Sequence, residues 1–342
     1  MKKLSKILAS AVMLTTLASC QHKELCYDHD PHALKYHVNV QATYEQEWQY
    51  TYGTAIDWEA AWPEYFPMTY DDLRPDIPAG LRVMAFDENN TQKMTNFPAE
   101  GGNLLLGEGN FSLLFYNNDT EYIVFDNMAS YATARATTRS RSRNTYLGNS
   151  YSKAENENTV NAPDMLYGNY RDSFRPEKVV VAPDMPITMH PLVFTYVVKY
   201  EFEHGLKYVS LARGALAGMA ESVFLNNGQT SESIATILYD CTLEEFGAQA
   251  IVNSFGIPNY PNDNYSRSEN VYALNLEIRL KNGNIKNFDF DVTDQVAKQP
   301  HGGVIVVSGI YISDEEGKKG SSGFQVDVKD WGEYEDIIIP LG

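Results

Sequence analysis

The chain has 342 residues, a formal charge of −18 and a sequence pI near 4.8. That field repels polyanions, so nucleic acid is set aside as a partner, and the acidity reads as solubility. At this length two domains of roughly 150 residues are the natural division, and 12% aromatics with 23 tyrosines suit half-buried sheet surfaces better than helix bundles.

The first residues, Met1-Lys2-Lys3-Leu4-Ser5-Lys6, are basic. An apolar stretch runs from Ile7 to Leu17 and closes on Leu17-Ala18-Ser19-Cys20. This is the order of a secretory signal, and its apolar part is too short to cross a bilayer, which takes roughly 20 residues. Leu-Ala-Ser-Cys resembles the lipobox read by the lipoprotein signal peptidase. The expectation is a signal peptide over 1–19 and a lipidated Cys20 carrying palmitate-type chains. Loss of Lys2, Lys3 and Lys6 would lower the charge by three, to −21. No second apolar run of membrane length follows, so the body reads as anchored rather than spanning. Gln21 stands where an Asp would favour the inner membrane, and Gln21-His22-Lys23-Glu24 loosely resembles the export signal of Bacteroidota surface lipoproteins. The expected location is the outer membrane, held by lipid, at the cell surface.

Residues 20–33 form the expected tether. His22, Cys26, Asp28, His29 and His32 are types that bind zinc or copper, but no second ligand pair follows at metal-site spacing, and a solvated polar tether is the preferred reading. No metal or cofactor is expected. After lipidation two cysteines remain. A Cys26–Cys241 bridge is chemically allowed in an oxidising compartment, two unpaired thiols are the favoured alternative, and spacing does not decide.

Period-two alternation dominates the chain. Leu34 to Val40 reads as a half-buried strand, and Leu81 to Phe86 as another. Leu104 to Leu106 and Phe111 to Tyr116 flank Gly107-Glu108-Gly109, and Tyr122 to Phe125 is a short apolar run. Between them, Asp57 to Phe66 has helical character with Asp57 as cap, although Pro63 interrupts it. From 131 to about 176 the pattern fails in a polar stretch containing Arg135, Arg139, Arg141 and Arg143, which predicts a long loop. Val179 to Val181 reads as a closing strand. Pro183, Pro186 and Pro191 then suit a domain boundary.

Leu192 to Tyr200 alternates again. Ser222 to Leu225 and Ile234 to Tyr239 flank Asn226-Asn227-Gly228, a hairpin candidate. Thr242 to Ala250 and Thr293 to Lys298 are each expected to form a turn or two of helix. Tyr272 to Leu280, Asn282-Gly283 and Ile285 to Val292 make the clearest hairpin. Val304 to Ile312, Phe324 to Val328 and Ile337 to Ile339 supply further strands. Many short strands with frequent turns predict an all-β chain of two tandem sandwiches, over 34–185 (with the loop at about 131–176) and 186–342.

With the strands placed, several segments carry a resemblance. They are His22 to His29 before the first strand, Gly109-Asn110-Phe111-Ser112-Leu113-Leu114-Phe115-Tyr116-Asn117, Pro191-Leu192-Val193-Phe194-Thr195-Tyr196, Gly205 to Val209, Gly214 to Ala220, and Phe290-Asp291-Val292-Thr293-Asp294-Gln295-Val296. Their order resembles a family of Bacteroidales lipoproteins related to the fimbrillin and minor-fimbrium anchor superfamily. The resemblance implies two transthyretin-like (Greek-key) β-sandwich domains on a lipid anchor, with fimbrial subunits as partners. It also implies maturation of relatives by cleavage after an Arg that removes their first strand. Here the arginines at 135–143 lie far beyond the first strand, so they read as an exposed, nickable loop rather than an activation site.

Trp48, Trp58, Trp62 and Tyr65 belong to an aromatic-rich stretch from Tyr44 to Tyr70. Aromatic faces stack on sugars and bury in interfaces, so these four are the candidate contact surface; packing of the first strand against a covering helix is the other reading. His190, His204 and His301 read as loop or strand-end residues. Asp71-Asp72 and Asp314-Glu315-Glu316 lack the spaced ligands of a calcium loop and read as solvated charge. No metalloprotease, nucleophile-elbow or phosphate-loop motif occurs, so an enzyme is not expected. Two functions remain: an anchor or accessory subunit in fimbrium assembly or adhesion, and a surface glycan-binding lipoprotein serving nutrient uptake.

Overall fold

The computed structural model describes residues 33–46, 70–143, 157–261, 271–300 and 302–318. In chain order the strands of the first half are β1 (Lys35–Tyr44), β2 (Gly80–Phe86), β3 (Gln92–Pro98), β4 (Gly101–Leu105), β5 (Phe111–Asn117), β6 (Ile123–Asp126), β7 (Arg135–Thr138), β8 (Thr159–Asn161), β9 (Tyr167–Phe174), β10 (Lys178–Val179) and β11 (Asp184–Pro191). Then follow β12 (Phe194–His204), β13 (Val209–Ala220), β14 (Ser222–Phe224), β15 (Ile234–Glu244), β16 (Gly247–Ser254), β17 (Ala273–Leu280), β18 (Ile285–Asp291), the short helix α1 (Thr293–Ala297), β19 (Gly303–Tyr311) and helix α2 (Asp314–Lys318). The chain is all-β, and its two large sheets build two sandwich-like domains, as the alternation predicts.

The first large sheet runs β10-β1-β11-β9-β5-β2-β3, with β4 added to β1. Alternation puts Val38 and Val40 of β1, Leu81, Val83 and Ala85 of β2, Leu113 and Phe115 of β5, and Met185, Ile187 and Met189 of β11 into one core. The opposite faces of β2 and β5 are also covered. Met84, Phe86, Leu114 and Tyr116 pack with Ile123, Ala136, Leu192, Val193, Ala220, Val223 and Phe255. That second cluster draws on both halves of the chain, so β2 and β5 read as continuous apolar runs rather than as a half-wet face.

The second large sheet runs β18-β17-β13-β15-β16-β12-β19, with β8 added to β15. It folds over at β15, which pairs with β13 through Cys241 and with β16 from Thr242 onward. The two layers enclose Tyr196, Val198, Tyr200, Leu216, Ile237, Tyr239, Leu274, Leu276, Ile278, Ile305 and Val307. Across this core the Tyr200 and Tyr239 hydroxyls share a 2.8 Å hydrogen bond, and Tyr200 Oη donates to Asn275 O at 3.0 Å. Gly214 makes room for the pair, since a Cβ there would lie 2.3 Å from the Tyr239 ring. The Asn282-Gly283 hairpin forms, with β17 and β18 paired from Ala273 opposite Asp291 to Arg279 opposite Ile285, while the other edge of β17 pairs with β13. Helix α1 occupies the predicted site.

Several expectations are corrected. The stretch from 131 to about 176 is not one long loop: β7 pairs with β6 and β14, β8 runs parallel to β15, and β9 joins the first sheet. β7 and β8 are short, and all three strands bury few apolar side chains, chiefly Ala136, Val160 and Tyr167, which is too little alternation to register as strand. Residues 144–156 lie outside the described residues. Residues 186–191, expected to open the second domain, instead complete β11, parallel to β1. Asn226-Asn227-Gly228 does turn the chain, with an antiparallel bridge between Val223 and Thr230 and Phe224 N donating to Gln229 O at 2.8 Å. However, β14 and β15 are not its two arms, because β14 takes β7 as its strand partner and β15 takes β13. Thr242 to Ala250 is not helical: it is the β15–β16 hairpin, in which Ala248, Ala250 and Val252 face the core at period two. The helix expected at Asp57 to Phe66 and the strands expected at 324–328 and 337–339 lie outside the described residues.

Candidate anchoring and contact surfaces

The first strand is the element through which any N-terminal attachment must act. β1 lies parallel to β11 from Asn39 to Tyr44 and antiparallel to β4 from His37 to Gln41, so neither edge is free from Asn39 to Gln41. Val38 and Val40 are 2% and 1% exposed. Polar contacts fix the register. Asn39 Nδ2 donates to Asp184 Oδ1 at 2.7 Å, Tyr44 Oη donates to Ala99 O at 2.9 Å, and His190 Nδ1 lies 2.7 Å from Glu45 Oε2. The Tyr44 ring meets Tyr167 edge-on at 5.2 Å between centroids. Burial, with Asp119 and Glu100 nearby, pushes the Tyr44 phenol up to about 12, so it stays protonated and keeps donating.

Two of the arginines of 135–143, Arg141 and Arg143, reach from the first half of the chain to the second. Arg135 grips Asp126 with Nε and Nη2 at 3.0 and 2.7 Å. Arg141 reaches across to Leu238 O and Asp240, at 3.2 and 3.1 Å. Arg143 bonds Glu157 at 2.8 Å and Asn275 at 3.0 Å. The segment expected there as an exposed, nickable loop is β7 with a backbone-bonded flank, in which Arg139, Ser140 and Ser142 are exposed.

Asp314 and Glu316 are not merely solvated. Asp314 accepts from Tyr208 Oη at 2.8 Å and lies 3.1 Å from His204 Nε2 and 3.3 Å from Lys207 Nζ. Hydrogen bonds from Tyr208, His204 and Lys207 hold its carboxyl well below the usual range. Lys286, 2.8 Å away, and the Ser313 backbone and hydroxyl bring Glu316 down to about 2. These contacts, with Asn282 donating to Glu316 O at 2.7 Å, fasten α2 to the second sandwich. His204, expected as an ordinary strand-end residue, stacks on Tyr311 at 5.2 Å.

One polar site escaped the sequence reading. Lys199, which alternation places on the polar face of its strand, is completely buried, with Nζ 2.6 Å from Glu201 Oε1 and 4.6 Å above the Phe246 ring. Only the two-sided burial of β12 distinguishes it, and alternation carries no such signal.

Cys20, the contact residues Trp48, Trp58, Trp62 and Tyr65, the tether histidines with Cys26, and His301 lie outside the described residues. Among the described residues Cys241 is an unbridged thiol, and burial raises its pKa. No group of three or more His, Cys, Asp or Glu among the described residues is placed to hold a metal ion. None of the described helices is long and apolar enough to cross a membrane.

A Bacteroides ovatus protein assigned as a fimbrium anchoring subunit is 25% identical over 166 residues, 47% of this chain and 47% of that protein. The match thus spans about half the length of the curated relative. A solved structure described as an adhesin from Bacteroides ovatus superposes with a TM-score of 0.55 at 18% identity, over 84% of this chain and 93% of that one, which shows a shared fold. A second Bacteroides ovatus structure described as an adhesin superposes with a TM-score of 0.47 at 7% identity, over 81% and 90% of the two chains. The family model described as Domain of unknown function (DUF5119) matches residues 70–240, half of the sequence, and the chain belongs to that family.

Proposed function

We propose that this protein is a lipid-anchored, non-enzymatic protein of the outer membrane that serves at the cell surface as an anchor or accessory subunit in fimbrium assembly or adhesion. The observation that carries the reading is the seating of β1. A shaft subunit that polymerises by strand exchange must free a groove, usually by giving up a strand of its own. Here the first strand is bonded on both edges and sends two valines into the core. An anchor gains from that arrangement, because its N-terminus has to stay joined to both body and membrane. Lipid on Cys20 would act through residues 21–33, a tether spanning at most about 45 Å when extended. Two or three acyl chains make such attachment lasting, where a single chain does not. The fimbrium-anchoring assignment of the Bacteroides ovatus relative supports the same reading.

The test is Cys20→Ala in the native host. The expected result is release of the protein into the medium, together with fimbriae of normal subunit composition. Fimbriae that remain attached at normal number and length would overturn the anchoring role and favour glycan capture, for which binding of the purified protein to surface polysaccharides is the direct assay.

A further inference from the structure

β19 pairs in parallel with β12 on one side and, among the described residues, with no strand on the other. On that outer side its backbone is bonded by side chains. Gln299 Nε2 donates to Val304 O at 2.9 Å, and Val304 N donates back to Gln299 Oε1 at 2.7 Å. Gln295 repeats the exchange with Val306, at 2.9 Å in both directions. A primary amide sets a carbonyl acceptor beside an N–H donor on one planar group, with a second N–H left over, so each glutamine presents what a peptide of a neighbouring strand would present.

The spacing fits. Outward-facing peptides of a strand recur about every 6.6 Å, and four residues of helix rise about 6 Å. Gln295 on α1 and Gln299 just beyond it therefore meet two successive outward peptides. The pair is also braced. Gln299 Nε2 donates to Gln295 O at 3.1 Å, and Tyr196 Oη donates to Gln299 O at 2.7 Å. Val296 and Ala297 of α1 are buried. Gly303 is part of the fit, because a Cβ there would lie 1.9 Å from Gln299 Oε1.

The edge so covered runs Gly303-Val304-Ile305-Val306-Val307-Ser308-Gly309-Ile310-Tyr311 and holds no charge and no proline. Uncharged β-forming edges are templates for pairing with another chain, and charges or prolines are the common protection. We propose that Gln295 and Gln299 are a strand-mimicking plug that closes the β19 edge against the same edge of a second copy of this chain. A second copy is the occupant to be excluded because antiparallel β19–β19 pairing is self-complementary about a two-fold axis. The inference is independent of the fimbrial reading, and its test uses purified protein alone.

The experiment compares the full chain carrying Cys20→Ala with the same chain carrying Gln295→Leu and Gln299→Leu. Both are measured by light scattering across a concentration series and by amide hydrogen exchange. The parent is expected to be monomeric, with slow exchange at Val304 and Val306. The leucine pair keeps the side-chain bulk and loses the bonds. It is expected to exchange about tenfold or more faster at both amides while dilute and monomeric, and to dimerise as concentration rises. A folded leucine pair that stays monomeric throughout, or that exchanges at the parent's rate when dilute, overturns the proposal. Should that variant fail to fold, Gln295→Ala decides: Val306 must exchange faster while Val304 stays slow, and equal rates overturn the plug.

Discussion

Replacing Gly101 by alanine tests whether β1 is locked by its neighbours, and Gly283→Ala is the matched control. Both glycines have left-handed backbone, with φ of +101° and +87°, so each substitution carries conformational strain of about 1–3 kcal/mol. Their surroundings differ. A Cβ at Gly283 meets nothing within 4 Å, whereas at Gly101 it would lie 2.2 Å from Val40 O on β1. Restoring a carbon–oxygen separation of about 3.3 Å moves β4 from β1 by about 1 Å. That strains the Ala42 N–H bond to Glu100 O and the pairings of Val40 with Gly102 and Gln41 with Gly101. Two or three such bonds, at about 1 kcal/mol each, add about 2–3 kcal/mol that Gly283→Ala does not share. Urea unfolding measures the totals, and amide exchange at Val38 and Val40 locates the loss. Equal destabilisation by the two variants, or unchanged exchange in β1 of Gly101→Ala, would refute the reasoning.

Further outcomes follow from the same geometry. Glu316 and Asp314 both have depressed carboxyl pKa values, so their contribution to docking α2 is complete above the ordinary carboxylate range and is lost as pH falls. Exchange protection of α2 should therefore hold from pH 7 to 5 and decline from about 4.5 towards 2, the Glu316 window; a loss centred above pH 5 would count against it. Tyr200→Phe should cost about 1–3 kcal/mol by leaving the Tyr239 hydroxyl without its partner, and adding Tyr239→Phe should cost little more. Additive losses in the double variant would show that the two hydroxyls do not act as a pair. Leu276→Ala, in the centre of the second core, should cost about 2–5 kcal/mol in the same unfolding assay. Native trypsin should spare the bond after Arg135, because β7 is paired on both edges; a quantitative fragment beginning at Ala136 would contradict that.

The all-β class and most of the long strands are legible in residue order alone, because period-two alternation is local. Val38 and Val40 or Leu274, Leu276 and Ile278 show their inward face within a few residues, and Asn282-Gly283 sets its own turn. Tertiary structure decided which strands are neighbours. Beyond its bridge across the Asn226-Asn227-Gly228 turn, β14 takes β7 as strand partner because the cluster of Ile123, Ala136, Ala220, Val223 and Phe255 forms only when distant segments meet. β8 crosses to β15, where Val160 joins the second core. Strands such as β7 and β8 are specified by partners rather than by pattern, so they passed for loop. Lys199 looked solvated because alternation reports which face a residue takes and not what covers that face. The glutamines at 295 and 299 were legible only as two polar residues of a short helix. Their use as edge peptides depends on β19 lying alongside, a juxtaposition that chain order does not encode.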